Sequence, residues 1–455
     1  MSDTILSNKC ADSAVLQRSL RGMFRLAARA EGVYIWDSEG KPYLDFSGSA
    51  AVNLIGHGVK AIPAAMAKQA ANLEFVHTSQ FTTDVAEEYA RELLDFAGAQ
   101  FKGGCVYFTC GGSESIETAL KLARQYQVEI GKTKRYKMLS QNQSYHGSTL
   151  GAVAVSGNRR RREIYLPMVK EFGHVRIPYC YRCAYGCDDC GRQYAAEIEH
   201  AVEATPGEIA AFVFEPVSGA TLGAAVPPQG YLQRVAEICA AHEILLIADE
   251  VMTGMGRTGR NFAVEHWGVA PDILVAAKGL SSGYAPLGAV IATKKIRDAI
   301  ATGSGSFIHG FTYNAHPISL AAGRAVLRHL QGLKLVHAAD SQGPDTIAAK
   351  LKRSLLPLQQ LKVIGDVRGI GMLWGIEFVS DKSRKVPFDP DLNFAGRVGK
   401  AAANRGLLVY PVQGCVDGIS GDHLLLAPPA IITEEQVAWA VQQLGAAVED
   451  AMAEN

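Results

Sequence analysis

Lys278 closes an apolar run, Asp272-Ile273-Leu274-Val275-Ala276-Ala277-Lys278, and a glycine-punctuated segment follows it, Gly279-Leu280-Ser281-Ser282-Gly283. A cation at the end of a buried strand is costly unless it is paired, neutral or covalently used. A second strand-like run, Ile244-Leu245-Leu246-Ile247-Ala248, ends in Asp249-Glu250. An amine and a carboxylate at the mouths of neighbouring strands form the geometry a pyridoxal phosphate site needs. The lysine condenses with the aldehyde as a Schiff base, and the carboxylate keeps the pyridine nitrogen protonated.

Other residues fit around such a pair. The junction Cys110-Gly111-Gly112-Ser113 joins a strand-like run to a helical period and offers free N–H groups, a positive helix end and the Ser113 hydroxyl to a phosphate. Tyr145, in Tyr145-His146-Gly147, puts an aromatic ring where a flat cofactor stacks. Thr312, in Gly310-Phe311-Thr312-Tyr313, adds a hydroxyl before a helix, and Arg368, between Val367 and Gly369, carries a fork suited to a carboxylate. In isolation each of these has a plainer reading as a turn, a packed ring, a cap or an ion pair. A rival motif, Gly254-Met255-Gly256-Arg257-Thr258-Gly259, matches the dinucleotide fingerprint G-x-G-x-x-G. Its details fail: Asp272 begins a strand instead of ending one, and Asp249-Glu250 would repel a pyrophosphate. A nicotinamide or flavin enzyme is the distant alternative.

The 455 residues are enough for two or three lobes, and 48% hydrophobic with 20% charged residues describes an ordinary globular protein. Lys+Arg and Asp+Glu balance at 45 each, which argues against nucleic acid or an anionic membrane as the main partner. The run Arg159-Arg160-Arg161-Arg162 is a local basic patch of the kind that usually faces solvent. The absence of a long apolar span, a start without a secretory pattern and nine cysteines, an odd number, lead us to expect a cytoplasmic protein with reduced thiols. Cys180, Cys183, Cys187 and Cys190 form C-x2-C-x3-C-x2-C. The short central spacing suits zinc poorly, so no metal is assigned, and free thiols or an adventitious disulfide are the plainer reading.

The elements that must position these residues alternate. Strands are expected at 105–109, 211–214, 244–248, 273–277 and 288–292, with helices from 113 and over 231–241. Buried strands alternating with helices imply an α/β fold with a mostly parallel central sheet. The ends differ: a hairpin is expected over 32–46, strands near 372–379, 406–410 and 423–427, and a last helix opened by a capping box of Thr433 and Gln436. The expected organisation is an N-terminal segment, 1–55, a large domain, 56–325, and a C-terminal domain, 326–455, with a small α+β lobe built from both termini.

These residues, in this order, resemble the class III pyridoxal phosphate-dependent aminotransferases of fold type I. The most specific stretches are 246–259 and 271–279, together with Gly310-Phe311-Thr312-Tyr313. The resemblance implies Lys278 as the Schiff-base lysine and proton shuttle, Asp249 on the ring nitrogen, Val251 and Tyr145 on the two ring faces, and Gly112 and Ser113 on the phosphate. It implies Glu215 as a supporting carboxylate, Arg368 as receiver of the substrate carboxylate, and Thr312 acting across a homodimer interface. Ser148 stands where the γ-aminobutyrate enzymes carry an arginine. Ala220 stands where the γ-aminobutyrate and ornithine enzymes carry a glutamate that gates the carboxylate-binding arginine, and Ser218 replaces the glutamine of that motif. The pattern therefore resembles the ω-amino acid or amine:pyruvate branch, with Arg368 expected free of a gating acid and the small Ala50 and Ala51 expected near the pocket. Racemases and lyases on the same fold share Lys278 and Asp249 and form the nearest alternative.

Overall fold

A computed structural model describes residues 13–170, 172–186 and 189–453. Its central seven-stranded sheet has the order Cys105–Thr109, Gly288–Ala292, Ile273–Ala276, Leu245–Asp249, Ile209–Phe214, Lys137–Gln141, Gly173–Val175. Gly288–Ala292 runs antiparallel to both neighbours, and the remaining ladders are parallel, so the sheet is mixed with a parallel core. The apolar runs explain this. Ile209–Phe214, Leu245–Asp249 and Ile273–Ala276 are buried at every position. Alternate residues feed two cores: Phe212, Phe214, Leu246 and Leu274 enter one, and Ala211, Val213, Leu245, Ile247 and Val275 the other. A sheet covered on both faces needs apolar residues at both parities of the strand.

The helix Gly112–Glu129 packs against several of these strands, and Tyr231–Ala241 occupies the connection between Ile209–Phe214 and Leu245–Asp249. A four-stranded sheet joins Ala27–Glu31, Tyr34–Asp37 and Pro42–Asp45 to Leu407–Leu408, with Leu407 opposite Leu44, so early and late segments of the chain share one sheet. A third sheet, antiparallel, holds Ile364–Ile370, Leu373–Phe378, Asp422–Leu426 and Tyr410–Gln413. The last helix, Glu434–Ala453, opens on the expected box: the Thr433 N–H donates to Gln436 Oε1 at 2.9 Å, and the Gln436 N–H donates to Thr433 Oγ1 at 3.3 Å.

The G-x-G-x-x-G motif does not open a helix, which is the anion-binding element a dinucleotide site requires. Its residues form turns. Gly259 lies at φ 88°, and a β-carbon there would meet Asp340 Cα at 2.4 Å. Arg257, buried within the motif, donates to the carbonyls of Asn53 at 2.9 Å, Ala427 at 2.9 Å and Pro428 at 2.8 Å. The motif thus ties the segment after Asp249 to both terminal regions, and the dinucleotide reading is set aside. Among the described residues, no helix is long and apolar enough to cross a membrane.

Candidate active site

The carboxyl ends of the parallel strands converge on one cavity of about 320 Å³. Gly112 and Ser113 follow Cys105–Thr109, Tyr145 and His146 follow Lys137–Gln141, Glu215 follows Ile209–Phe214, Asp249 ends Leu245–Asp249, and Lys278 follows Ile273–Ala276. All seven of these residues line the cavity, as does Val251. Crevices at the carboxyl ends of such sheets are where α/β folds bind ligands. Because Gly288–Ala292 runs the other way, its leading residues, Pro286 and Leu287, reach the same edge and close the cavity there.

Lys278 has a left-handed backbone, φ 44°, an uncommon conformation for a side chain with a β-carbon. Burial lowers its ammonium pKa to about 8, against the opposing charges of Asp249 and Glu215. A lysine held there is a free amine over much of the slightly alkaline range, as a carbonyl-capturing nucleophile requires. The rate at which cofactor-free protein captures added pyridoxal phosphate as an imine should therefore rise with pH, with its midpoint near pH 8, and level off about one unit above that instead of climbing through pH 10. Stopped-flow absorbance across that range would show it, and a rate still climbing at pH 10 would contradict the perturbed amine.

Asp249 is fixed on two sides. Its Oδ1 accepts the Val251 N–H at 3.1 Å, and its Oδ2 lies 2.7 Å from His146 Nδ1. His146 is buried, and its Nε2 lies 3.1 Å from Ser140 Oγ. The arrangement that satisfies both contacts has Nδ1–H donating to Asp249 and Nε2 accepting from Ser140. The sequence alone gives His146 no role, because its partner Asp249 ends another strand. Replacing His146 with Phe leaves Oδ2 unpaired and should lower kcat by about 10- to 100-fold with the cofactor still bound. Steady-state kinetics alongside the cofactor absorbance would test this.

Glu215 is held by the Tyr145 N–H at 3.1 Å and the Gly219 N–H at 3.2 Å, and burial raises its pKa to about 7. The helix Gly112–Glu129 begins at Gly111 with no side-chain cap, leaving its end open to an anion. Ser113 Oγ accepts the Ser148 N–H at 3.0 Å. A β-carbon on Gly112 would meet Val251 Cγ1 at 3.1 Å, so the small residue lets the cup and the valine approach.

Two expected residues, Arg368 and Ala50, are placed differently, and Thr312 lies apart from the cavity of its own subunit. Arg368 is not free: it pairs with Asp366 at 2.9 Å and Glu377 at 3.1 Å, donates to the Leu222 carbonyl and lies over the Tyr179 ring at 4.8 Å. It lines a separate cavity. Asp366 is two residues away on the same strand, and Glu377 lies on the adjoining Leu373–Phe378, so the acid partners come from the sheet instead of the loop position of Ala220. Ala50 does not line the Lys278 cavity. Ser49, Ala50 and Ala51 are left-handed, Asp45 Oδ1 holds the Ser49 N–H at 3.0 Å, and the segment sends Val52 to the cavity instead. Thr312 is exposed and lies outside the lining, although the neighbouring Tyr313 carbonyl comes within 3.7 Å of the cavity residue Cys110. Of the cysteine cluster, Cys187 falls outside the described residues, and among the described residues no group of three or more His, Cys, Asp or Glu could hold a metal ion.

The profile of the aminotransferase class-III family matches residues 15–448. The chain belongs to the class-III aminotransferases. An uncharacterized aminotransferase of Bacillus subtilis, YodT, is 39% identical over 431 residues, covering 93% of this chain and 95% of the relative. A thermostable (S)-enantioselective omega-transaminase from Thermomicrobium roseum superposes with a TM-score of 0.88 at 34% identity, over 96% of this chain and 95% of that one. An amine transaminase from an uncultivated Pseudomonas species, solved in its PLP-bound form, gives 0.87 at 34% identity, over 95% of each chain. Class-III aminotransferases use pyridoxal 5'-phosphate, and this donor set fits it: a buried amine of lowered pKa, a carboxylate braced by an imidazole, and an uncapped helix start beside a hydroxyl.

Proposed function

We propose that this aminotransferase moves an amino group from an ω-amino acid or primary amine to a 2-oxo acid, pyruvate first among them, by a ping-pong mechanism. The observation that carries the reading is Ala220 in the cavity wall, with Val52, Met252 and Ala285 also lining it. Small and apolar groups there accept an uncharged donor end without burying an unpaired charge. The solved omega- and amine transaminases of similar fold support the same choice.

Bound pyridoxal phosphate supplies a reactive carbonyl and an electron-withdrawing ring. Lys278 Nζ would hold the cofactor through that carbonyl, and as a free amine it can take a proton at the donor carbon and give it back elsewhere. Asp249 holds positive charge at the ring nitrogen, and His146 fixes the direction of its carboxylate. Gly112 and Ser113 would hold the phosphate, Tyr145 and Val251 would flank the ring, and Glu215 would add a supporting carboxylate. The partner subunit's Thr312 completes the phosphate site in a homodimer. Its exposure on its own subunit supports that assignment. The balanced charge and reduced-thiol composition support a cytoplasmic setting.

The test supplies 1-phenylethylamine or β-alanine with pyruvate and measures alanine by chromatography. Alanine formed at the expense of either donor supports the reading. Amino transfer to 2-oxoglutarate alone would remove the pyruvate assignment.

A further inference from the structure

The run Arg159–Arg162 forms a four-residue helix whose side chains diverge. Arg159 binds Glu163 at 2.9 Å, Arg160 donates to Gln413 at 3.0 Å, and Arg162 is buried and donates to the Ser156 carbonyl at 2.8 Å. Arg161 is different. It is half-buried, and no carboxylate among the described residues pairs with it. Its guanidinium lies 4.5 Å from the ring centroid of Tyr145, which lines the cavity beside Lys278. Its charge also reaches Lys278, where it counts among the influences that disfavour the ammonium.

A guanidinium stacked on a ring keeps its in-plane N–H groups available for a planar anion. The other arginine suited to a carboxylate, Arg368, has Asp366, Glu377 and the Leu222 carbonyl as partners. A substrate carboxylate at Arg368 would compete with two acids already in place. At Arg161, which lies over the cavity-lining Tyr145 and does not line the cavity itself, it would meet a cation lacking an acid partner.

We infer that Arg161, seated on the face of Tyr145, docks the carboxylate of the 2-oxo acid acceptor and of carboxylate-bearing donors in place of Arg368. This rests on the aminotransfer reading above and adds the residue that selects for a carboxylate. Arg161 is a positioning cation: it takes no proton and forms no bond to the reacting carbon. Its effect should fall on KM and binding more than on kcat.

The test uses the cofactor-loaded enzyme and its Arg161→Ala and Arg161→Lys variants. Calorimetric titration with pyruvate reads binding directly, since a 2-oxo acid carries no amine to transfer. A charge-assisted pair lost beside Tyr145 corresponds to about a 10- to 100-fold rise in the pyruvate Kd and KM for Arg161→Ala. Arg161→Lys should recover part of it. The half-reaction with 1-phenylethylamine, which has no carboxylate, should stay within about twofold, and this control separates docking from a general disturbance of Tyr145. An unchanged pyruvate Kd, or an equal loss for pyruvate and 1-phenylethylamine, overturns the inference. If the unaltered enzyme converts neither pyruvate, oxaloacetate nor 2-oxoglutarate, the aminotransfer reading itself falls, and the Arg161 assignment with it.

Discussion

Lys278→Ala is expected to reduce turnover by about 10⁴-fold or more, because it removes both the nucleophile and the acid–base group of the reaction. The loss should not come from unfolding. Alanine retains the β-carbon, so the left-handed backbone at this position, φ 44°, is no more strained than before. The deleted amine is one whose ammonium burial disfavours. Asp249 keeps His146 at 2.7 Å and the Val251 N–H at 3.1 Å, so it is not orphaned. Thermal unfolding should therefore occur at an unchanged or slightly higher temperature, while any pyridoxal phosphate retained shows no lysine imine. Turnover comparable to the unaltered enzyme would overturn the assignment of Lys278.

Asp249→Asn should cost nearly as much, about 10³-fold in kcat, for a different reason. The amide has almost the shape of the carboxylate but cannot hold a positive charge at the ring nitrogen, so the ring loses electron-withdrawing power. The substitution has a second signature. The Asp249 charge raises the Lys278 pKa against burial, so its removal moves that pKa below about 8. The free-amine fraction then saturates at lower pH, and the pH profile of cofactor capture shifts in the acid direction. A merely structural carboxylate would change neither kcat nor that profile beyond a general loss of folded protein. Parallel measurement of both, with circular dichroism as the folding control, separates the cases.

The central fold was legible because burial leaves a strong mark on composition. The strands Cys105–Thr109 and Gly288–Ala292 and the helix Tyr231–Ala241 fall where the apolar runs and helical period place them. The short strand Gly173–Val175 was not legible, because its three residues owe their conformation to pairing with Lys137–Gln141. Ile364–Ile370 was also unmarked: its glycines and charges interrupt any alternation, and pairing with Leu373–Phe378 makes the strand.

The chemistry was legible where one residue at the end of a strand carries the role. Lys278 and Asp249 needed only the strands to be neighbours, which the Asp249–Val275 register provides. Roles that depend on contacts distant in sequence were not legible. The His146–Asp249 bond joins residues on two different strand ends, and one of the two acids that engage Arg368, Glu377, comes from the adjoining strand. Ala50 shows the same limit at short range, since left-handed backbone at three consecutive residues decides that Val52 reaches the cavity. Arg161 looked like part of a solvated basic run, and only the different partners of its three neighbours distinguish it.

The most direct measurement is the visible absorption spectrum of the purified protein charged with pyridoxal phosphate, recorded before and after each of a panel of amine donors with no acceptor present. An imine band that disappears with a donor and returns on adding pyruvate or another 2-oxo acid is the result expected, since it shows both halves of amino transfer on one site. A band that persists with every donor, or one that disappears and is restored by no 2-oxo acid, would contradict the account.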